Sequence, residues 1–189
     1  MPAERNLRRD AAENRDRLIK AARTVFAEQG SDAPLENIAR MAKVSRATLY
    51  RNFATREELA ALIFEENVAC IERRAQELAG TADGIVRIVD FILDIQRDNR
   101  TLSRLLVKAD LGWLDELSQR TTSALQPLLE RARSQGTVHP WIDIDHLMLV
   151  FPMAAGAVAA GELSGKHQTD EMVRLMLHRT IFPESTGSD

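Results

Sequence analysis

A single cysteine in 189 residues leaves no internal disulfide to form, so packing must hold the fold, as suits a reducing compartment. Aromatic residues are scarce at 5%, and only six prolines and nine glycines punctuate the chain. No alternating strand pattern of useful length is present, which argues against a sheet-based fold. Long apolar runs are missing too. The longest stretch without a charged or strongly polar residue, Leu147–Gly161, has 15 residues and contains Pro152. A spanning helix needs about 20 apolar residues, so this segment is expected to be a buried helix of a soluble protein, without a membrane partner. The opening M-P-A-E-R-N-L-R-R-D lacks the apolar core of a signal peptide, which places the expectation in the cytoplasm. Signatures of chemistry are also wanting. There is no CxxC, no phosphate-cradling glycine loop and no Ser/His/Asp set, and His139, His146, His167 and His178 show no metal-ligand spacing. Neither an enzyme nor a cofactor nor a metal is expected.

What is present is helical material. Hydrophobic residues make up 44% of the chain, enough for a proper core, and Ala, Leu, Arg and Glu abound, which predicts an all-α fold of about nine helices. The net charge of −3 hides an asymmetry. Residues 1–56 carry 12 Lys and Arg against 7 Asp and Glu, a net of +5; the remainder carries 13 against 21, a net of −8. A basic N-terminal part suits a polyanion.

The most informative stretch is Leu35–Arg56. Leu35, Ile38, Ala39 and Ala42 fall on one helical face, preceded by Pro34, a residue suited to a helix start. Lys43-Val44-Ser45 reads as a turn, with Ser45 placed to cap the next helix. Leu49 and Phe53 face inward from that second helix. Arg46, Ala47, Thr48, Tyr50, Arg51 and Asn52 are left outside. Before this pair, Leu18, Ala22, Val25 and Phe26 form the stripe of a further helix that stops at Gln29-Gly30; Asp16 and Arg23 on it read as ordinary solvated charges. Two short helices joined by a tight turn, the second carrying polar and basic residues, form a helix-turn-helix suited to the major groove of DNA.

Residues 14–66 resemble the DNA-binding domain of the TetR family of bacterial transcription regulators. The pieces that carry the resemblance are Ala21-Ala22, Phe26 and Gly30; Ile38-Ala39 and Ala42-Lys43-Val44-Ser45; Thr48-Leu49-Tyr50 and Phe53; and Thr55-Arg56-Glu57-Glu58-Leu59. Two departures stand out. The family commonly has Gly where Lys43 stands, at a position that often has φ > 0, and Ser or Thr where Pro34 stands. The expected DNA contacts are Ser45, Arg46, Ala47, Thr48, Tyr50, Arg51, Asn52 and Arg56. Arg46 and Arg51 can grip guanine edges or phosphate, and Thr48 can reach a base edge or a thymine methyl. The resemblance implies that Tyr50 and Asn52 touch phosphates, and that Arg56, in place of a family Lys, joins a helix N-terminus in favouring an anion.

The domain reading is a disordered arm over 1–12, with Arg5, Arg8 and Arg9 available to a minor groove, the helix-turn-helix domain over 13–56, and a helical regulatory and dimerisation domain over 57–189. Within the last, a long helix opens near Thr55, another follows the break at Thr81–Gly84, a short one covers 102–108, and one runs from Leu114 to Ser134 with Pro127 inside. Asp90, Asp94 and Asp98 read as a solvated stripe, and Cys70 as a buried small hydrophobe. The final two helices, about 145–163 and 170–182, are apolar enough to call for a partner, and pairing with their copies in a four-helix interface is the natural solution. Met153, Ala157, Gly161, Met172, Leu175, Met176 and Arg179 are the expected interface residues. The resemblance implies the same homodimer and a small-molecule pocket, for which Phe64, Asn67, Phe91, Ile95, Leu106, Trp113, Leu117, Thr121, Met148 and Phe151 are candidates. Few charges point inward, so the expected effector is apolar or amphipathic. The function expected is a ligand-responsive repressor that binds a palindromic double-stranded DNA operator. A DNA-binding dimer with no small-molecule ligand, controlled by a protein partner or by abundance, is the alternative.

Overall fold

Apolar residues at three- and four-residue spacing build eight α-helices among the described residues, which are 2–102, 105, 111–165 and 168–183 of a computed structural model. They are α1 (Pro2–Gln29), α2 (Leu35–Met41), α3 (Arg46–Asn52), α4 (Arg56–Leu78), α5 (Gly84–Asp98), α6 (Leu111–Gln135), α7 (Ile144–Leu163) and α8 (Thr169–Ile181). No strand occurs among these residues. Leu102 and Leu105 lie in a 3₁₀ turn, and the rest of the expected short helix at 102–108 falls outside the described residues.

The chain divides into two compact units. One comprises Met1–Glu66 and Asn99–Asp110, the other Asn67–Asp98 and Leu111–Asp189. The division falls inside α4 rather than at the sequence-based boundary of 56/57. The reason is that α4 is continuous and serves two cores. Leu59, Ala60 and Ile63 are buried in the first, and Ile71, Ala75 and Leu78 in the second. A second difference concerns the N-terminus. Residues 2–12, expected as a disordered arm, belong to α1. Polarity there argues against burial, but Ala, Glu, Arg and Leu are strong helix formers, so it does not argue against helix.

In the first unit, Leu18, Ala22, Val25 and Phe26 of α1 pack with Ile38 and Ala39 of α2, Leu49 of α3 and the first turns of α4. Each fully buried Leu, Ile or Phe contributes about 1.5–3 kcal/mol relative to exposure. Gly30, at φ 85°, closes α1 with an N–H donated to Phe26 O at 3.0 Å. Arg23 is not simply solvated: its guanidinium donates to Ile63 O at 3.3 Å, to Asn99 Oδ1 at 3.3 Å and to Glu66 at 3.4 Å. A long cationic side chain can satisfy several acceptors that an α-helix face leaves over, which periodicity alone does not reveal.

In the second unit, α5 buries Ile85, Ile88, Val89, Ile92 and Leu93 against Leu125, Leu128 and Leu129 of α6 and Leu147 and Phe151 of α7. Gly84 starts α5 so close to the end of α4 that a Cβ there would lie 2.7 Å from Leu78 O. Two polar ties cross this unit. Arg120 forks onto Glu72, Nε to Oε1 at 2.9 Å and Nη2 to Oε2 at 2.7 Å, and this bond holds the Glu72 carboxyl below its ordinary range. Arg174 of α8 donates to Asp90 and Asp94 of α5, each at 2.7 Å, and His178 Nε2 meets Asp90 Oδ1 at 2.8 Å. Asp90 and Asp94 are therefore ties between helices, correcting the reading of a solvated stripe; residues 80 and more positions away supply the counter-charge. Cys70 is half-buried, with Arg73 Nη2 at 3.0 Å from its sulfur, rather than fully inside.

Helix α7 also departs from expectation. Apolar nearly all round, it buries only the stripe Leu147, Phe151 and Ala154, with Gly161 beyond it, and 22% of Ile144–Gly161 is buried. By length and composition that window would suffice to cross a membrane. Composition reports how apolar a helix is; the neighbours available in the chain decide how much of it is covered.

Candidate nucleic-acid interface

The helix-turn-helix is assembled by two helix ends. Helix α2 terminates in a Schellman arrangement. Val44 N–H donates to Ala39 O at 3.0 Å and Lys43 N–H to Arg40 O at 3.1 Å, while Lys43 takes φ 56° at the C′ position. Glycine adopts this conformation freely, but a lysine there is strained by about 1–2 kcal/mol. Three residues later α3 begins under a Ser45 cap. Ser45 has extended backbone (φ −73°, ψ 155°), and its Oγ accepts from Thr48 N–H at 3.0 Å. Pro34 occupies the N-cap position of α2 and supplies no side-chain bond.

Leu49, fully buried, and Phe53 pin α3 to the core. The opposite face is open: Arg46, Ala47, Tyr50 and Arg51 are exposed. Arg51 curls along its own helix, Nε donating to Ala47 O at 3.2 Å and Nη2 to Thr48 Oγ1 at 3.4 Å. Thr48 and Asn52 are half-buried, and Asn52 Nδ2 donates to Thr48 O at 2.7 Å. Arg56 stands apart from this face. It is half-buried and donates to Ser31 O at 2.8 Å, with Asp32 at 3.7 Å, so it braces the turn after α1. At the start of α4, Thr55 Oγ1 accepts from Glu58 N–H at 3.1 Å, and Glu58 accepts from Ala54 N–H at 2.8 Å, a reciprocal cap.

One residue of this surface escaped the sequence reading. Glu36, in the first turn of α2, forms an ion pair with Arg46 at 2.7 Å and accepts from the Tyr50 hydroxyl at 3.4 Å. An acidic residue at a helix start reads as a dipole partner; only the crossing of α2 and α3 brings it beneath two groups assigned to DNA. Arg15 Cζ lies 5.9 Å from the centroid of the Phe53 ring, a further cation that sequence did not single out.

The candidate pocket residues fall in both units. Phe64 packs in the first unit, whereas Phe91, Ile95, Met148 and Phe151 belong to or pack against the core of the second. Leu117 and Thr121 are buried, and Thr121 Oγ donates to Leu117 O at 2.9 Å, so its polarity is satisfied within its own helix. Asn67 is buried, Trp113 half-buried, and Leu106 lies outside the described residues. A groove of about 720 Å³ instead lies between α4 and α6, lined by Glu72, Gln76, Gln119, Arg120, Ser123 and Leu128 among others, none of them a candidate. Inward periodicity found core because core and cavity walls share it.

The candidate dimer residues separate more clearly. Met153, Met172, Leu175 and Met176 are large apolar side chains left 55–66% exposed, and Leu149 joins them at 59%. Ala157 and Arg179 are exposed as well. Gly161 is different: it is buried, and a Cβ there would meet Thr169 Oγ1 at 2.1 Å, so it permits the α7–α8 corner rather than an intermolecular contact.

Comparison with known proteins agrees with this geometry. Residues 18–63 match the family described as bacterial regulatory proteins, tetR family. The HTH-type transcriptional regulator SrpR of Pseudomonas putida is 28% identical over 183 residues, covering 89% of this chain and 84% of that protein. The A-factor receptor protein of Streptomyces griseus is 26% identical over 159 residues, covering 78% and 51%. The chain thus spans about half the length of some of the curated relatives it matches (51% and 55% for two of them). Among solved structures, a TetR transcriptional regulator from Streptomyces coelicolor superposes with a TM-score of 0.66 at 26% identity, covering 89% of this chain and 99% of that one. The TetR transcription regulatory protein from Mycobacterium vanbaalenii gives 0.64 at 25%, covering 90% and 98%. Residues 18–63 thus carry the DNA-binding domain of the TetR family of bacterial regulatory proteins, and in its all-helical fold the chain as a whole is similar to regulators of that family.

Proposed function

We propose that this protein is a cytoplasmic transcriptional repressor that binds a palindromic operator as a homodimer and releases it on binding a small effector. The observation that carries the reading is α3, capped by Ser45, anchored by Leu49 and presenting Arg46, Ala47, Tyr50 and Arg51 outward. A helix so presented reads base edges with its N-terminal residues, and a dimer reads two half-sites about 34–36 Å apart or a multiple of that distance. The unpartnered face of Leu149, Met153, Met172, Leu175 and Met176 supports pairing through α7 and α8. The charged residues beside it on α8, Glu171 and Arg179, suit a protein partner better than a lipid one. Selection of bound sequences from random DNA tests the reading: a palindromic consensus is expected, and failure to enrich any sequence overturns it.

The effector half of the proposal rests on the likeness to a protein named as an A-factor receptor and on α4, which runs without a break from the helix-turn-helix into the second core. An apolar or amphipathic ligand that prefers one setting of α4 would change operator affinity; one that binds both settings equally shifts nothing. Candidate compounds screened by operator-anisotropy measurements should include one that lowers affinity. A second reading, a DNA-binding dimer without such a ligand, is favoured by the packing of Phe91, Ile95, Met148 and Phe151 with the core. Isothermal calorimetry with compounds that release the operator separates the two.

A further inference from the structure

We infer that Glu36 determines specificity in the recognition helix, by holding Arg46 and Tyr50 in an ion-paired arrangement that a nonspecific phosphate does not repay. The inference rests on the proposed DNA contacts of α3. A single carboxylate oxygen, Glu36 Oε1, faces both groups, Arg46 Nη2 at 2.7 Å and the Tyr50 hydroxyl at 3.4 Å. The Arg46 side chain is 70% exposed and that of Glu36 39%, so the pair adds little to fold stability. The first turn of α2 favours an acid through the helix dipole, but that does not require the acid to face Arg46 and Tyr50. On a surface that meets a polyanion, a carboxylate repels the backbone and costs general affinity. It also neutralises Arg46 at a distance, so that Arg46 releases few counterions when it approaches any phosphate.

Arg51 makes the contrast. Its donors meet the neutral acceptors Ala47 O and Thr48 Oγ1, and among the described residues it has no carboxylate partner. Its charge remains available to every duplex. Arg46 must exchange an ion pair for what it finds, and a bidentate guanine edge offsets that exchange where a lone phosphate does not. Selectivity built from a repulsive element raises the ratio of right to wrong partners while lowering affinity for both. Glu36 acts through Arg46 and Tyr50 and is a positioning residue.

The test uses the full-length protein with two duplexes of equal length, the consensus from random-sequence selection and a scrambled version. Glu36→Gln, Arg46→Ala and the double variant are titrated from 50 to 200 mM salt. Glu36→Gln should steepen the logarithmic salt dependence of scrambled-duplex binding by about 0.9 for each recognition helix engaged, and cut the consensus-to-scrambled affinity ratio about threefold or more. In the Arg46→Ala background the same change should leave the consensus-to-scrambled ratio almost unchanged, because the lost repulsion of the carboxylate acts on both duplexes alike. If Glu36→Gln alters both duplexes equally, or acts as strongly without Arg46, the inference is overturned while the DNA-contact reading stands. If Arg46→Ala leaves consensus affinity unchanged, the contact reading itself falls.

Discussion

Replacing Lys43 by glycine should stabilise this protein. The residue sits at C′ of α2 with φ 56°, and its N–H and that of Val44 close the helix on Arg40 O and Ala39 O. The hydrogen bonds belong to the backbone and survive the substitution. What changes is the left-handed strain on an L-residue, about 1–2 kcal/mol, which glycine removes. Against it stands the larger conformational freedom of glycine in the unfolded chain, about 0.4–1 kcal/mol. The net gain is about 0–1.6 kcal/mol, with a midpoint of about 0.8 kcal/mol, equivalent to roughly 2–3 °C in thermal midpoint for a chain of this size. Lys43→Ala is the companion variant: it removes the same charge and keeps the strain. Far-UV circular dichroism during urea and thermal unfolding should rank Gly above Lys and above Ala. Operator affinity, if it falls with the exposed charge, should fall equally in both variants. A Lys43→Gly protein less stable than Lys43→Ala would refute the reasoning, because it would mean that the freedom glycine adds to the unfolded chain outweighs the backbone strain it relieves.

Leu49→Ala removes the fully buried anchor of α3 and should cost about 2–5 kcal/mol in urea unfolding, with loss of sequence-specific binding. Met172→Lys with Met176→Lys places two charges on the open face of α8; sedimentation should show a dimer turned monomer, with far-UV dichroism unchanged. The Glu72–Arg120 bond gives a pH dependence. Because the folded Glu72 carboxyl lies below its ordinary value of 4.5, the bond contributes above that pH and is lost as pH falls below it. The contribution of this part-exposed pair is about 0.5–1 kcal/mol, so the difference in urea midpoint between the native protein and Arg120→Gln should be present at pH 7 and shrink towards pH 3.

Local rules wrote the reading unit into the chain. Ser45 is a cap wherever it precedes a helix, Leu49 and Phe53 share a face by spacing alone, and Gly30 and Gly136 end helices because each takes φ > 0 at low cost. The outward set of α3 follows once the inward set is known. The bond of Arg56 stayed hidden for the opposite reason: its acceptor, Ser31 O, lies 25 positions away, and a long side chain at a helix start reads as free. The same holds for Asp90 and Asp94, whose partner Arg174 is 84 and 80 positions off, and for Glu36, which crosses a turn to reach Arg46. For the pocket candidates, hydrophobic periodicity marks inwardness without telling filled space from empty.

The sequence by itself determined the helices, the turn between α2 and α3, the likeness to TetR-family regulators and the split between a basic N-terminal part and an acidic remainder. These depend on periodicity, caps and composition, which act over a few residues or over the whole count. Only the tertiary structure decided that α4 serves two cores, that Gly161 is committed to the α7–α8 corner, and that α7 and α8 leave Leu149, Met153, Met172, Leu175 and Met176 uncovered. Burial is set by which surfaces the rest of the chain can reach. Ion pairing across helices depends on where two backbones cross, and neither is encoded in the spacing of neighbours along the chain.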